Sequence, residues 1–174
     1  IKKGETIIFS AGTEPIAVRT LKRLFAAEKE KRTGRADFFT TLKNAAQQFY
    51  NKRADGYYLL AGYPWFKYRA RDEFIALPGA TLAVGDVEMF EKMMLIGVQA
   101  VRDYIDGKPK STQLKEVSSP DVLLWFVWNV QQYAQYTSLE QAAEKYGQHV
   151  LDVMEFVRKQ KHTNLFVHDN GLLY

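Results

Sequence analysis

Two stretches of this chain, residues 74–84 and 121–136, are apolar around almost their whole circumference when drawn as helices. The first has no charged side chain, and the second begins Asp121-Val-Leu-Leu-Trp-Phe-Val-Trp-Asn-Val130. A helix that is apolar on all sides has to be surrounded by protein. Pro78 lacks a backbone donor, so we expect a lost hydrogen bond or a kink in the first stretch. These segments predict a core built from buried helices.

Amphipathic segments alternate with the two apolar ones. Apolar residues recur at helical spacing over 35–53, 87–105 and 139–160, with polar residues between them, and Asp37 stands where it can cap the first. A two-layer, all-α arrangement produces this alternation, because apolar helices line the inside while amphipathic helices wrap them. We therefore predict alternating inner apolar and outer amphipathic helices.

Loop length alternates in step with helix type. Links from apolar to amphipathic helices are two residues long, whereas the segments that lead into apolar helices are long: 54–72, 106–120 and 161 onward. The long loops should therefore meet at one end of the inner layer, where functional sites are usually built. That end is predicted to gather Trp65, Arg71, Asp72, Asp121, His168 and Asp169.

The N-terminal region is predicted to be separate from this helical array. Residues 6–10 form a short apolar run typical of a strand, for which no partner strand is predicted within the chain. We interpret residues 1–13 as a linker or the remnant of an upstream β domain. The domain then occupies 14–174, with an amphipathic linker helix over 14–32.

Composition excludes several classes of function. Hydrophobic residues make up 47% and charged residues 25%, as in ordinary globular proteins. The net charge of +4 does not indicate nucleic-acid binding, because the densest basic stretch, 19–35, is interleaved with Glu28 and Glu30. With no cysteine and three histidines outside any metal-ligand spacing, no metal site is predicted. No phosphate-binding glycine loop and no membrane-spanning run occurs, so we expect no cofactor, no membrane association and a cytoplasmic protein.

Asp72 is the central candidate residue, since it stands between a segment of aromatics and cations and the first apolar helix. Aromatic faces such as Tyr63 and Trp65 stack on sugar rings, and a carboxylic acid protonates a glycosidic oxygen. The combination is suited to carbohydrate chemistry. Two structural alternatives remain: Asp72 and Asp121 are equally suited to capping helices, and the aromatics could form a satellite core under the loop. A helical-repeat interaction protein would need no ionisable group at Asp72.

Specific motifs resemble one known family. Ala61-Gly-Tyr-Pro-Trp-Phe66 followed by Arg71-Asp72-Glu-Phe-Ile-Ala-Leu-Pro-Gly79 is similar to the signature of the glycogen debranching enzyme family, the amylo-α-1,6-glucosidase catalytic domain. In that family AGYPWF leads into WGRDTFIALPG. The resemblance extends from about Pro15 to Tyr174 and includes Asp121-Val-Leu-Leu-Trp-Phe126 and Asp169-Asn-Gly-Leu-Leu173.

The resemblance implies an (α/α)6 toroid, of which this chain would supply about the N-terminal half, and an inverting hydrolysis of α-1,6 branch points in glycogen-like α-glucans. Asp72 matches the general acid, and Arg71 and Trp65 match residues that line the sugar site. We also expect Tyr63, Asp121 and Asp169 to bind substrate. The family's general base lies in the second half of the ring, so the isolated piece should be inactive and should self-associate.

The chain departs from the family pattern beside Asp72. Arg69 and Ala70 stand where the family has Trp-Gly, and Glu73 stands where it has Thr. Replacing an aromatic residue by Arg69 removes a stacking face. A non-catalytic carbohydrate-binding relative is therefore an alternative to the hydrolase.

Overall fold

The computed structural model describes residues 2–173. Ile1 and Tyr174, at the two ends of the predicted regions, lie outside the described residues. The chain divides into two units, Ile1–Asn44 and Ala45–Tyr174. The described part of the chain is mostly helical and contains one small antiparallel sheet. Among residues 2–173, no helix is both long enough and apolar enough to cross a membrane.

The first unit contains a short 3-10 turn at Val18–Thr20, helix α1 at Leu21–Glu30 and the start of helix α2 at Phe38–Gln47. The apolar run at residues 6–10 forms neither strand nor helix. Asp37 caps α2 as predicted, because its Oδ1 accepts the Thr40 N–H at 2.7 Å. The predicted buried stripe of α2 is wrong at its beginning, where three large apolar side chains are exposed: Phe38, Phe39 and Leu42.

A β-hairpin follows α2 in the second unit, so the prediction of a helix reaching residue 53 is wrong, and the predicted all-α fold is mostly helical with one small sheet. Strands β1 (Tyr50–Arg53) and β2 (Gly56–Leu59) pair antiparallel. The two-residue connection is Ala54-Asp55, and Gly56 begins β2 opposite Arg53. Gly56 has φ +149°, and a Cβ there would lie 2.6 Å from the Ile96 Cδ1 atom. The hairpin therefore approaches its neighbouring helix too closely for a side chain at this position.

Four helices follow the hairpin and form two layers. They are α3 (Ala70–Ala80), α4 (Val87–Ile105), α5 (Val122–Tyr136) and α6 (Leu139–Arg158), with a 3-10 turn at Leu82–Val84. The apolar helix α3 packs against the apolar helix α5, while the amphipathic helices α4 and α6 pack against each other and α4 also covers β2. This arrangement agrees with the predicted alternation of inner and outer helices.

Close backbone packing joins the layers. An added Cβ at Gly97 of α4 would lie only 2.7 Å from the Phe74 Cε1 atom, so the absence of a side chain lets α4 approach α3. Both amphipathic helices begin at side-chain caps: Asp86 accepts the Met89 N–H at 3.2 Å, and Ser138 accepts the Gln141 N–H at 3.2 Å. The cap at Ser138 was predicted from its spacing to Gln141.

Pro78 lies inside α3 and removes the donor that would bind the Phe74 carbonyl, as predicted. The side chain of Asn129, on α5, replaces it. Its buried Nδ2 donates to the Phe74 oxygen at 2.6 Å and to the Trp125 oxygen at 2.8 Å. A side-chain amide thus substitutes for the missing backbone bond and ties the two inner helices together.

Helix α3 is not enclosed on all sides, which corrects the prediction for residues 74–84. Phe74, Leu77 and Pro78 are buried, but Ile75 is 37% exposed and Ala76 is exposed as well. Asp72 lies on the same open face one turn earlier. The inner helix therefore presents one partly apolar face that no described residue covers, and the face carries the candidate residue.

Candidate active site

Two of the long loops meet at the N-terminal ends of the inner helices. The Ala70 N–H donates to the Lys115 oxygen at 2.9 Å, and the Lys115 N–H donates to the Tyr68 oxygen at 2.9 Å. These bonds fasten the loop 106–120 to the residues that lead into α3. The structure therefore joins two of the three loops that were predicted to share one end, and of the candidate residues at their ends it brings Arg71 into contact with Asp121.

The aromatic segment 61–67 forms a tight turn with Trp65 near its tip. The Phe66 N–H donates to the Gly62 oxygen at 3.2 Å, and the Ala61 N–H donates to the Lys67 oxygen at 3.1 Å. Trp65 is 79% exposed, so it is not part of a satellite core.

Tyr63 lies in the same turn and is anchored at both ends of its side chain. Its hydroxyl donates to the Gln48 carbonyl, and its ring centroid lies 5.9 Å from that of Phe49. Tyr63 nevertheless remains exposed. The satellite-core alternative holds for Tyr58, which is fully buried, but not for Tyr63 or Trp65. The turn therefore offers two aromatic faces to solvent.

Asp72 does not cap α3, so the capping interpretation is wrong. The helix begins after Arg69, which occupies the N-cap position with extended backbone, and Asp72 is the third helical residue. Its side chain is exposed, and among residues 2–173 no hydrogen bond or ion pair engages it. A carboxylate in the first turn is favoured by the positive end of the helix dipole. Asp72 is thus an accessible acid group that is not committed to a structural role.

A groove of about 360 Å³ runs between the end of β2 and the open face of α3. Its walls are mainly apolar, with Phe49, Leu60 and Ile75 among the lining side chains, and both Asp72 and Glu73 border it. The Tyr50 hydroxyl on β1 donates to the Ala80 carbonyl at 2.6 Å and joins the hairpin to the far end of α3. The groove therefore brings apolar surface next to two neighbouring carboxyl groups.

Glu73 differs from Asp72 in being buried, with only 1% of the residue exposed. Its Oε2 accepts the Leu59 N–H at 3.3 Å, while Oε1 has no partner among the described residues. Burial raises the pKa of Glu73 well above its usual value, and the single bond from Leu59 opposes this only weakly. Burial therefore favours the neutral form of Glu73, which borders the groove.

Asp121 joins the two inner helices at the same end. Its Oδ2 accepts Arg71 Nε at 2.8 Å and Trp125 Nε1 at 2.9 Å. Asp121 occupies the N-cap position of α5, yet its side chain makes no capping hydrogen bond, so the capping interpretation is wrong here too. Partial burial opposes ionisation, but the bonds from Arg71 and Trp125 outweigh it and lower the pKa of Asp121. Asp121 and Arg71 thus form an ion pair, and Arg71 directly precedes Asp72 in the chain.

Asp169 is not drawn into this cluster. It is exposed within a turn closed by the Gly171 N–H, which donates to the His168 oxygen at 2.8 Å. No hydrogen bond or ion pair in the described part of the chain joins Asp169 to Arg71, Asp72 or Asp121. Nor do residues 2–173 contain a group of three or more His, Asp or Glu side chains that could hold a metal ion.

Sequence reasoning missed two members of the cluster, Trp125 and Glu73. Trp125 follows Asp121 by four residues, a spacing that places both side chains on one helix face and that could have indicated their contact. Glu73 was recognised only as a departure from a family pattern. Its burial depends on the unpredicted hairpin, whose Leu59 N–H bonds to it.

Comparison with known proteins adds one finding to this geometry. Residues 42–173, about three quarters of the chain, match the family model described as Amylo-alpha-1,6-glucosidase. No curated protein and no solved structure matched the chain.

Proposed function

The chain belongs to the amylo-alpha-1,6-glucosidase family, and we propose that it forms part of a glycoside hydrolase that cleaves α-1,6 branch linkages of glycogen-like α-glucans. The observation that carries the proposal is the carboxyl group of Asp72. It is exposed and unpaired among the described residues, on the open face of an inner helix and beside an apolar groove. Such a group is within reach of a substrate bound in the groove, and geometric reach is the first requirement of a general acid.

In the proposed mechanism Asp72 is the general acid. Its proton passes to the glycosidic oxygen at the branch point as the bond to the anomeric carbon breaks. A second carboxylate removes a proton from the attacking water on the opposite face of the sugar, which requires the two carboxyl groups to be about 6.5–9.5 Å apart and inverts the configuration. That base belongs to the part of the ring outside these 174 residues.

The proposed substrate contacts surround Asp72. Trp65 and Tyr63 offer exposed aromatic faces for sugar rings. Arg71, held by Asp121, offers donors for hydroxyl groups. Asp169 remains a proposed contact at the outer part of the substrate.

We also propose that the helices belong to an (α/α)6 toroid in which α3 and α5 are inner helices and α4 and α6 outer ones. The alternating layers and the open face of α3 support this arrangement, because that face would border the central cavity of the ring. Residues 14–174 would then form about the N-terminal half of the glycosidase domain, with residues 1–13 as a linker before it.

Substitution of Asp72 by Asn tests the role of the acid in the protein that contains the whole ring. Asp72→Asn keeps the shape but cannot donate a proton, so glucose release from a branched limit dextrin should fall by roughly 10²–10⁴-fold. Hydrolysis of α-glucosyl fluoride, whose leaving group needs no proton, should be affected far less. Glu144→Gln, an exposed change on α6, is the matched control. Unchanged glucose release from the dextrin by Asp72→Asn would exclude Asp72 as the acid.

One observation favours a second candidate, a non-catalytic α-glucan-binding protein. The Arg69 guanidinium lies 5.3 Å from the centroid of the Phe66 ring and pairs with Glu116 at 3.6 Å, so the segment before Asp72 is occupied by a cation where the family has an aromatic residue. Calorimetry with maltooligosaccharides, run beside the hydrolysis assay, separates the two candidates. Binding without turnover by the protein with the whole ring would favour the binder.

A further inference from the structure

The Asp121 carboxylate touches side chains on both inner helices. It accepts Arg71 Nε from α3 and Trp125 Nε1 from α5 on the same oxygen, Oδ2. We infer that Asp121 is a positioning residue, which holds the Arg71 guanidinium and the Trp125 indole in place for glucan binding without contacting the glucan itself. This inference rests on the proposed function and differs from the direct substrate contact that the resemblance led us to expect for Asp121.

The geometry at Arg71 leaves part of its guanidinium available. Only Nε is engaged by Asp121, and the side chain is 55% exposed. A bond to Nε sets the plane of the guanidinium, while the terminal nitrogens retain donors that point away from the bonded edge. Two adjacent hydroxyl groups of a pyranose ring match such a planar fork. Arg71 also neighbours Asp72 in the chain, so the fork lies beside the proposed acid.

The geometry at Trp125 shows the same dependence on Asp121. Its indole N–H has one partner, Asp121, at 2.9 Å. The ring stands edge-on to Trp128, with centroids 5.2 Å apart and an angle of 88° between the planes. Both tryptophans are only partly buried. Asp121 therefore orients Trp125, one of two partly exposed tryptophans near the start of α5. A sugar ring can stack there.

Charge gives a reason for an acidic residue at this position. A carboxylate satisfies the cationic Arg71 and accepts the indole N–H at the same time, whereas a neutral amide would hold the guanidinium less strongly. Because the Asp121 side chain is 35% exposed, the pair is screened by solvent, and its effect should appear in ligand affinity more than in stability.

A double-mutant cycle distinguishes positioning from direct contact. The dissociation constant for a maltooligosaccharide is measured by calorimetry for the wild type, Asp121→Asn, Arg71→Lys and the double variant. Each single change should weaken binding by about tenfold, and the double variant should bind no more weakly than the poorer single one, because both changes remove the same oriented guanidinium. Multiplicative losses would show two independent contacts and would overturn the inference.

Two further readouts exclude a merely structural effect. The indole ¹H–¹⁵N resonance of Trp125 should shift in Asp121→Asn, since its acceptor changes, and Trp125→Phe should weaken glucan binding. Glu91→Gln is the matched control, because Glu91 also bridges two helices by accepting from Tyr133 and Lys145. It should change the unfolding midpoint but not the dissociation constant.

The outcomes separate the inference from the proposed function. If the wild type binds and the losses multiply, the proposed function stands and the positioning role fails. If the Trp125 resonance shifts but the wild type binds no maltooligosaccharide, the bridge is present, yet both the positioning role and the α-glucan function are wrong. An unshifted resonance would overturn the bridge itself.

Discussion

Asp72 and Glu73 are adjacent in sequence but occupy opposite environments. Successive residues of a helix point about 100° apart, so one side chain faces the open side of α3 while the other turns toward the hairpin. Asp72 is exposed, whereas Glu73 is buried against the Leu59 N–H. Burial raises the pKa of Glu73, whereas the carboxyl group of Asp72 on the same groove is open to solvent.

This burial predicts a pH dependence of stability. An unfolded chain releases the Glu73 proton near pH 4.5, whereas the folded protein retains it to higher pH because burial raises the pKa of Glu73. The folded state then binds more protons, so the contribution of Glu73 to stability is fully present below about pH 4.5 and is lost as the pH rises. In Glu73→Gln the unfolding midpoint should therefore fall less between pH 5 and pH 8 than in the wild type.

The comparison has to be made between variants at each pH. Asp121 and Glu91 have lowered pKa values, in each case because hydrogen bonds outweigh burial. Their contributions to stability are therefore lost as the pH falls, opposite to that of Glu73. Chemical denaturation of Glu73→Gln and of Glu144→Gln, an exposed control on α6, isolates the effect of Glu73. Parallel pH profiles of Glu73→Gln and the wild type would contradict a neutral Glu73.

At the scale of elements, helices α3 and α5 are coupled by Asn129, which supplies the hydrogen-bond donor that Pro78 lacks. Pro78 leaves the Phe74 carbonyl without its helical donor, and the buried amide of Asn129 supplies one at 2.6 Å. Leaving a buried carbonyl unpaired costs about 1–3 kcal/mol. Pro78 and Asn129 therefore form a compensating pair across the inner layer.

Removing either member should reveal this dependence. Asn129→Leu should lower the free energy of unfolding by about 1–3 kcal/mol in the wild-type background. With Pro78→Ala the helix regains a backbone N–H for the Phe74 carbonyl, so the same Asn129→Leu change should cost less. Urea denaturation of the four proteins gives the coupling energy, which we expect to be between about 0.5 and 3 kcal/mol.

A separate substitution tests whether Pro78→Ala changes the cost of any buried substitution and not only that of Asn129→Leu. Val153 is fully buried on α6, and Val153→Ala combined with Pro78→Ala should be additive within about 0.5 kcal/mol. Equal costs of Asn129→Leu in both backgrounds would show that Asn129 does not replace the missing proline donor.

At the scale of the whole molecule, the two-layer pattern was predictable and the hairpin was not. The predicted helices at 87–105, 121–136 and 139–160 match α4, α5 and α6 within two residues at each end, because their apolar spacing is long and regular. The apolar residues near Phe49 and Tyr50 fit a helical stripe equally well. Their conformation depends on hydrogen bonding to β2. The spacing of apolar residues in the sequence carries no information on that pairing.

The residues of the candidate site could be predicted from the sequence, but most of the contacts between them could not. The resemblance identified Arg71, Asp72 and Asp121, but the bond between Arg71 and Asp121 joins residues 50 positions apart and depends on how α3 and α5 pack. The two capping interpretations failed for different reasons. Asp121 does occupy the N-cap position of α5, but its side chain bonds to Arg71 and Trp125 instead of the backbone. At Asp72 the position itself was wrong. A preferred capping residue near a helix start is only a local preference, and the helix α3 begins three residues earlier, because the Ala70 N–H pairs with Lys115.

The outer edge of the layers remains open along α5 and α6. A groove of about 620 Å³ lies there, and eight apolar side chains line it: Val127, Val130, Ala134, Leu139, Ala142, Ala143, Val150 and Leu151. Leu139 is 73% exposed and Leu151 is 62% exposed. In the proposed toroid the next helix pair covers this groove. In the 174-residue chain on its own, a second copy offers an apolar surface of the same kind to cover it.

We therefore expect the 174-residue chain to self-associate through this groove. Its mass in light scattering should rise with concentration toward that of a dimer, because pairing two grooves removes apolar surface from water. Leu139→Gln combined with Leu151→Gln should keep the chain monomeric. Leu95→Gln, at a leucine that is 70% exposed on α4, should leave association unchanged. A wild-type chain that stays monomeric at all concentrations would argue that the groove needs no cover, which would remove one support for the ring.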